Sequence, residues 1–292
     1  MAIKIYTKQY AGMLQDIFEK KTYFLRAFGG ALQTKDGVKD NENFLELKTS
    51  DTDVVIQAYS TDANVGFGTG TGSSTRFGER KEIKSVDTQV PYEAPLAIHE
   101  GIDDFTVNDM PDQVVAERLA LHAVAWAEYV DGLLGAALSA QASKTLTGEL
   151  TEEGVTKLFA DAHKIFVNNK VSKSVAHVAY VNADVYNFLV DSKLATSAKQ
   201  SSANIDEQTL YKFKGFVLLE LPDDKFEEGE QVIFAADNVG VAGIGIQVAR
   251  ALDSEDFAGV ALQGAGKYGK FIPTKNQKAI LKAKLTDPVV GG

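Results

Sequence analysis

"VGFGTGTGSSTRFGER" runs from Val65 to Arg80, and five of its sixteen residues are glycine. Before it lies "DVVIQAYS" (53–60), whose β-branched run predicts a strand. After it lies "KEIKSVDTQVPYE" (81–93), where Val86, Thr88, Val90 and Tyr92 alternate onto one face and Pro91 marks an edge strand or its end. Two strands joined by a glycine-rich tip make an extended hairpin. From Asp53 to Val65 the chain would reach ~40 Å at ~3.3 Å per residue. A body of roughly 200 residues has a radius of gyration near 16 Å, so the tip is expected to project beyond its own domain. Phe67, Arg76, Phe77 and Arg80 at the tip, with Lys81 and Lys84 below it, are then candidate contacts with a neighbouring subunit.

The same glycines do not form a phosphate loop. A P-loop needs two glycines five apart followed by Lys and Ser or Thr, and nothing in 65–80 fits. The stretch also leads into a strand, so it offers an anion no helix N-terminus. One G-x-G-x-x-G exists, "GAGKYG" (264–269), but Pro273 and no helical period follow it. A dinucleotide fingerprint opens a helix, so a turn between two strands is expected there.

Working outward, "NFLELKT" (43–49) predicts another strand, and Lys8–Phe28 has apolar spacing for one helix or two, ended by Gly29–Gly30. The strongest helical signal is 108–142. Pro111 suits its first turn, and Val115, Leu119, His122, Trp126, Val130, Leu133 and Leu138 form a stripe. Gly132 and Gly135 could bend this helix or admit a close neighbour. Helices and strands then alternate. Helices are expected at 151–169 and 183–192, and strands at 174–182, 212–223, 231–245, 246–253, 259–264 and 278–286. The fold class is α+β, an elongated region built from both ends of the chain around an inserted α/β unit.

The 292 residues carry a formal net charge of −10, with a pI near 5.0. An acidic chain is a poor dedicated nucleic-acid binder, because that affinity comes from neutralising phosphates. The basic excess is confined to the first 30 residues, where Lys4, Lys8, Lys20, Lys21 and Arg26 face only Asp16 and Glu19. No cysteine is present, which excludes disulfides, thiolate catalysis and Cys-ligated zinc. No apolar run reaches the length of a membrane span, and the N-terminus lacks a signal-peptide core. A soluble protein made in the cytoplasm is expected.

No catalytic constellation emerges. His99, His122, His163 and His177 include no i, i+4 zinc pair. His122 on the helical stripe reads as a hydrogen-bonded core residue. The acidic pairs at 103–104, 152–153, 223–224 and 227–228 read as solvated faces and helix starts. There is no G-x-S-x-G elbow. No cofactor and no metal are expected, and the chain is not expected to be an enzyme.

The order of elements resembles a tailed-bacteriophage major capsid protein of the HK97-like fold. The resemblance covers nearly the whole chain and is carried by "VDTQVPYEAPLAIHEGIDDFTVND" (86–109) and "DFAGVALQGAGKYGKFIPTKNQKAIL" (256–281). It implies an N-terminal arm (1–42) and an E-loop hairpin with flanking strands (43–98) that lies over an adjacent subunit. It implies a peripheral domain with a spine helix (99–150), an axial domain (151–245), and C-terminal strands (246–292) completing both. It further implies hexamers and pentamers of an icosahedral virion shell around double-stranded DNA contacted non-specifically. A separate scaffolding protein and a portal are implied as partners, with no membrane. Some members of the family carry an extra N-terminal scaffolding segment that is cleaved off, and none is expected in this chain. Lys81 and Lys84 find no matching asparagine and glutamate, so no covalent cross-link is expected. An encapsulin-like compartment shell shares the fold and is the alternative; an unrelated α+β enzyme is a more distant one.

Overall fold

The computed structural model describes residues 4–5, 13, 17, 22–39, 42–49, 54–63, 65–66, 75–106, 111–191, 203–204, 209–210 and 212–287. The chain divides into two compact units, one of Asn43–Pro91 and a larger one of Met1–Glu42 with Tyr92–Gly292.

In chain order the strands and helices are β1 (Lys4–Ile5), β2 (Gln33–Asp36), β3 (Asn43–Thr49), β4 (Val86–Pro91), β5 (Leu96–Asp103), α1 (Pro111–Ala140) and β6 (Lys144–Glu149). Then come α2 (Glu152–Asn168), β7 (His177–Asn182), α3 (Ala183–Asp191), β8 (Ala203–Asn204), β9 (Thr209–Leu210) and β10 (Lys212–Phe213). The last are β11 (Phe216–Leu221), β12 (Val232–Ala236), β13 (Val241–Asp253), β14 (Gly259–Phe271) and β15 (Ile280–Thr286). The fold is α+β, as the sequence predicts.

The larger unit holds two large sheets and the small antiparallel pair β8–β9. One runs β1-β13-β14-β5, with β2 also on β13; the other runs β10-β11-β7-β12-β15-β6. In the second sheet β11 lies parallel to β7 and β6 parallel to β15, while β12 is antiparallel to both β7 and β15. Val178, Ala179, Tyr180 and Val181 of β7 and all of β12 are buried, the pattern of strands covered on both faces. Helix α2 supplies part of that cover. Thr151 caps it, its Oγ1 accepting from Gly154 N at 3.1 Å, and Glu152 and Glu153 occupy the first turn, where the helix dipole favours them. Its Phe159 ring stands edge-on to Phe213 and Phe234, each 5.0 Å away, within the range of favourable aromatic pairs.

Helix α1 buries Val115, Leu119, His122, Trp126, Val130 and Leu138 as predicted, but Leu134 takes the place expected of Leu133. Gly135 does admit a close neighbour. A Cβ there would stand 2.5 Å from the ring of Phe24, which belongs to a 3-10 turn, Phe24–Phe28, closed by Gly29. Residues 8–23 otherwise lie largely outside the described residues, with Met13 and Ile17 helical.

Several boundaries differ from expectation. "GAGKYG" is no turn. Gly264–Gly269 is the interior of β14, hydrogen-bonded to β13 throughout and to β5 over its first part. Glycine serves there for close backbone approach, since a Cβ at Gly266 would stand 2.8 Å from Gly245 O. The expected strand 212–223 is a hairpin turned at Lys214 and Gly215, both at positive φ. The break expected at 245/246 lies instead between Ala236 and Val241. The strand expected over 81–93 is shorter, Val86–Pro91.

Candidate functional site

The unit Asn43–Pro91 is the first candidate. Its base is the antiparallel pair β3–β4, from Asn43 against Pro91 to Thr49 against Val86. Residues 54–60, expected as a strand, belong to no ladder. The β-branched run is there, but β-propensity reflects packing on a half-buried pleated surface, and among the described residues none pairs with these as a strand. Side chains do the joining. Gln57 Nε2 donates to Glu79 O at 2.8 Å, and Glu79 N donates back to Gln57 Oε1 at 3.1 Å. Ser60 N donates to Arg76 O at 3.0 Å. Gly78 sits at φ +76, and a Cβ would collide with Gln57 Oε1 at 2.3 Å, so glycine is required for this tie.

The predicted contact residues separate into kinds. Phe67 lies outside the described residues. Arg76 turns inward, donating from Nε to Val65 O at 2.7 Å and from a terminal nitrogen to Asp62 O at 3.2 Å. Phe77 is 76% exposed and stands edge-on to Tyr59 at 5.2 Å. Arg80, Lys81 and Lys84 are exposed, with Lys84 Nζ 3.5 Å from Glu82. Sequence reasoning missed the apolar row before the tip: Val54 is 94% and Ile56 95% exposed, and Ile83 opposite is exposed too. Reading 53–60 as a strand concealed this, because a strand would have hidden alternate residues. Exposed apolar side chains this concentrated are unusual on a monomer.

In the larger unit the buried polar groups tie elements together. Glu100 of β5 receives Arg118 of α1 through both carboxylate oxygens, with Nε to Oε2 at 2.9 Å, and contacts His122 Nε2 at 2.8 Å. The Arg118 guanidinium, helped by His122, holds the Glu100 carboxyl below its ordinary range, against the opposing effect of burial. Glu230, buried, accepts from Ser139 Oγ at 2.9 Å and Lys282 Nζ at 2.7 Å. Asp131, buried in α1, accepts the backbone N–H groups of Tyr23 and Phe24 at 3.0 and 2.9 Å, capping the Phe24–Phe28 turn from 107 residues away. Burial pushes its carboxyl up to about 6. Among the described residues no group of three His, Asp or Glu could hold a metal. No described helix is long and apolar enough to cross a membrane. Two hollows remain. One of about 280 Å³ is lined by Leu96, Ile98, Trp126 and Tyr129, and one of about 420 Å³ by His163, Lys173, His177 and Lys212.

No family model matches the sequence, and no curated protein does. Solved structures do match. The mature capsid of bacteriophage PhiM1 aligns at TM-score 0.64 and 14% identity over 91% of this chain and 87% of that one. The capsid of cyanophage P-SCSP1u aligns at 0.65 and 10%, over 91% and 89%. A chain from Mycobacterium phage Che8 aligns at 0.62 and 17%, over 90% and 91%. The architecture is therefore that of phage capsid subunits. The chain has the HK97-like fold.

Proposed function

We propose that this chain is a major capsid protein of a tailed bacteriophage, acting by assembly and not by catalysis. Its copies form hexamers and pentamers that close an icosahedral head around double-stranded DNA. The observation that carries this reading is a likeness to capsid chains extending over nine-tenths of both partners. The exposed apolar row Val54, Ile56, Tyr59, Phe77 and Ile83 supports it, being costly on a monomer and useful across an interface.

On this reading residues 1–42 are the N-terminal arm and 43–98 hold the hairpin that lies over a neighbouring subunit. Residues 99–150 contain the spine helix, 151–245 most of the axial domain, and 246–292 the strands completing both domains. Phe67, Phe77, Arg80, Lys81 and Lys84 contribute to the intersubunit contact, while Arg76 shapes the hairpin from within. A scaffolding protein and a portal assist, DNA is contacted without sequence preference, and the product is the virion shell, made in the host cytoplasm. Electron microscopy of the purified protein, alone and with a co-expressed scaffold, tests this. Closed shells are expected; a monomer at all concentrations refutes the reading. Shells that co-purify with a protein cargo and never with a portal would favour an encapsulin-like compartment.

A further inference from the structure

The six-stranded sheet carries its charge unevenly along the strands. Register fixes which residues share an end. β7, β11, β6 and β15 begin at His177, Phe216, Lys144 and Ile280, and β12 finishes beside them at Ala236. Exposed lysines gather here. Lys144 opens β6, Lys170 and Lys173 stand between α2 and β7, Lys212 and Lys214 frame the β10–β11 turn, and Lys278 precedes β15. Asn169 Nδ2 donates to Lys278 O at 2.7 Å, tying two of these segments together. Lys173 and Lys212 line the 420 Å³ hollow with His163 and His177. The segments 169–176, 212–215 and 274–279 contain no acid, and Asp237 beside them is engaged by Arg26 at 2.7 Å.

The opposite end is acidic. Glu149 closes β6, Glu152 and Glu153 start α2, and Asp224, Glu227 and Glu228 lie between β11 and β12, all exposed. Lys225, Lys282 and Lys284 are interspersed there, with Lys282 on Glu230 at 2.7 Å and Lys284 turned onto Glu228 O. Six-residue strands hold the two ends ~20 Å apart, about twice the screening length at physiological salt. The ends therefore do not neutralise each other. The dipole of α2 offsets only about half a charge at each.

Such a polarity fits one partner. A chain of net charge −10 repels its own copies unless they approach in an orientation that matches opposite signs. Both matching surfaces are on the same molecule, at different places, so the contact is head-to-tail, and head-to-tail contacts close into rings where the rotation from copy to copy closes. A free polyanion would meet the lysines but would be repelled by the rest of the molecule. We propose that the lysine-rich end of the six-stranded sheet docks against the acidic end of the next copy within a ring. This rests on the shell reading and names a contact inside it.

The test uses two charge-reversed variants of the full chain. One carries Lys170→Glu, Lys173→Glu, Lys212→Glu and Lys214→Glu; the other carries Asp224→Lys, Glu227→Lys and Glu228→Lys. Each alone is expected to lose ring formation, by roughly tenfold or more in the concentration required. Mixed, they restore rings with an even number of copies, because the two kinds must alternate. Wild-type rings treated with a carbodiimide are expected to show lysine–carboxylate links between 170–173 or 212–214 and 224–228 of different copies, which checks the contact even if a variant misfolds. Rings that form in the lysine-reversed variant as readily as in wild type, or that lack those links, overturn the proposal and leave the shell reading standing. A wild-type chain that never associates overturns both. If the lysine-reversed variant loses DNA retention but keeps its rings, the surface serves a polyanion and the proposal fails.

Discussion

Asp131 shows what a single side chain decides. Its carboxyl titrates near 6 in the folded chain against an ordinary 3.8, because burial penalises the charge. A group raised on folding contributes stability fully below its unfolded value and loses that contribution as pH rises through its folded value. Acidification from pH 7 to 5 should therefore stabilise the subunit through Asp131 by about 1.4 kcal/mol, because about one unit of the interval between 3.8 and 6 lies in that range. Asp131→Asn keeps an oxygen for the N–H groups of Tyr23 and Phe24 and should abolish that part of the pH dependence. Denaturant unfolding of both proteins at the two pH values measures the difference. Asp131→Ala leaves the N–H groups of Tyr23 and Phe24 without their acceptor and should cost about 2 kcal/mol at pH 7 and more at pH 5. Gly135→Ala is a second case. Helix propensity alone would favour alanine by about 1 kcal/mol, but the new Cβ would stand 2.5 Å from the Phe24 ring. The buried, closely packed ring cannot yield freely, so a net loss of about 1–3 kcal/mol in thermal or chemical unfolding is expected. The sequence signalled Gly135 as a point of close approach. It gave no sign of Asp131's role, because an acid on a helix looks solvated until its partners, 107 residues away, are brought to it.

Elements were legible where their period or caps were strong and illegible where function depended on what they lacked. Thr151, Glu152 and Glu153 announced α2, and Pro111 opened α1 where expected. Glycines were harder, since the same residue that ends strands elsewhere fills the interior of β14, where β13 passes too close for a Cβ. The segment 54–60 failed most informatively, as its residues have strand character and no strand to join. That exposure carries the prediction at this scale. Replacing Ile56 and Phe77 by serine removes apolar surface that the subunit itself does not bury, so unfolding free energy should change by less than about 0.5 kcal/mol. Across an interface the same two side chains are candidates for contributions of ~2 kcal/mol or more each. Shell yield, counted by electron microscopy or sedimentation, should therefore collapse while the circular dichroism melt stays in place. Wild-type yield from the double variant would remove the hairpin from the assembly contact.

For the whole molecule, the HK97-like order of elements was legible in sequence and the polarity of the six-stranded sheet was not, because it depends on which strand ends the register brings together. The free subunit's behaviour toward DNA follows from its overall charge of −10. Any binding should be independent of sequence and abolished by modest salt, with a shallow slope reflecting few neutralised phosphates. Gel-shift titration at two salt concentrations with unrelated duplexes checks this, and tight sequence-dependent retention would contradict it. One last consequence lies in the strand order. β15, with Ile280, Leu281, Ala283 and Leu285 buried, sits between β12 and β6, strands made 48 and 136 residues before it begins. During translation the sheet stays open, with β6 unattached, until the ribosome has passed residue 286. A polypeptide released early lacks that bridge and presents raw sheet edges to cellular proteases. On the proposed shell reading, only a finished chain could then join the assembly.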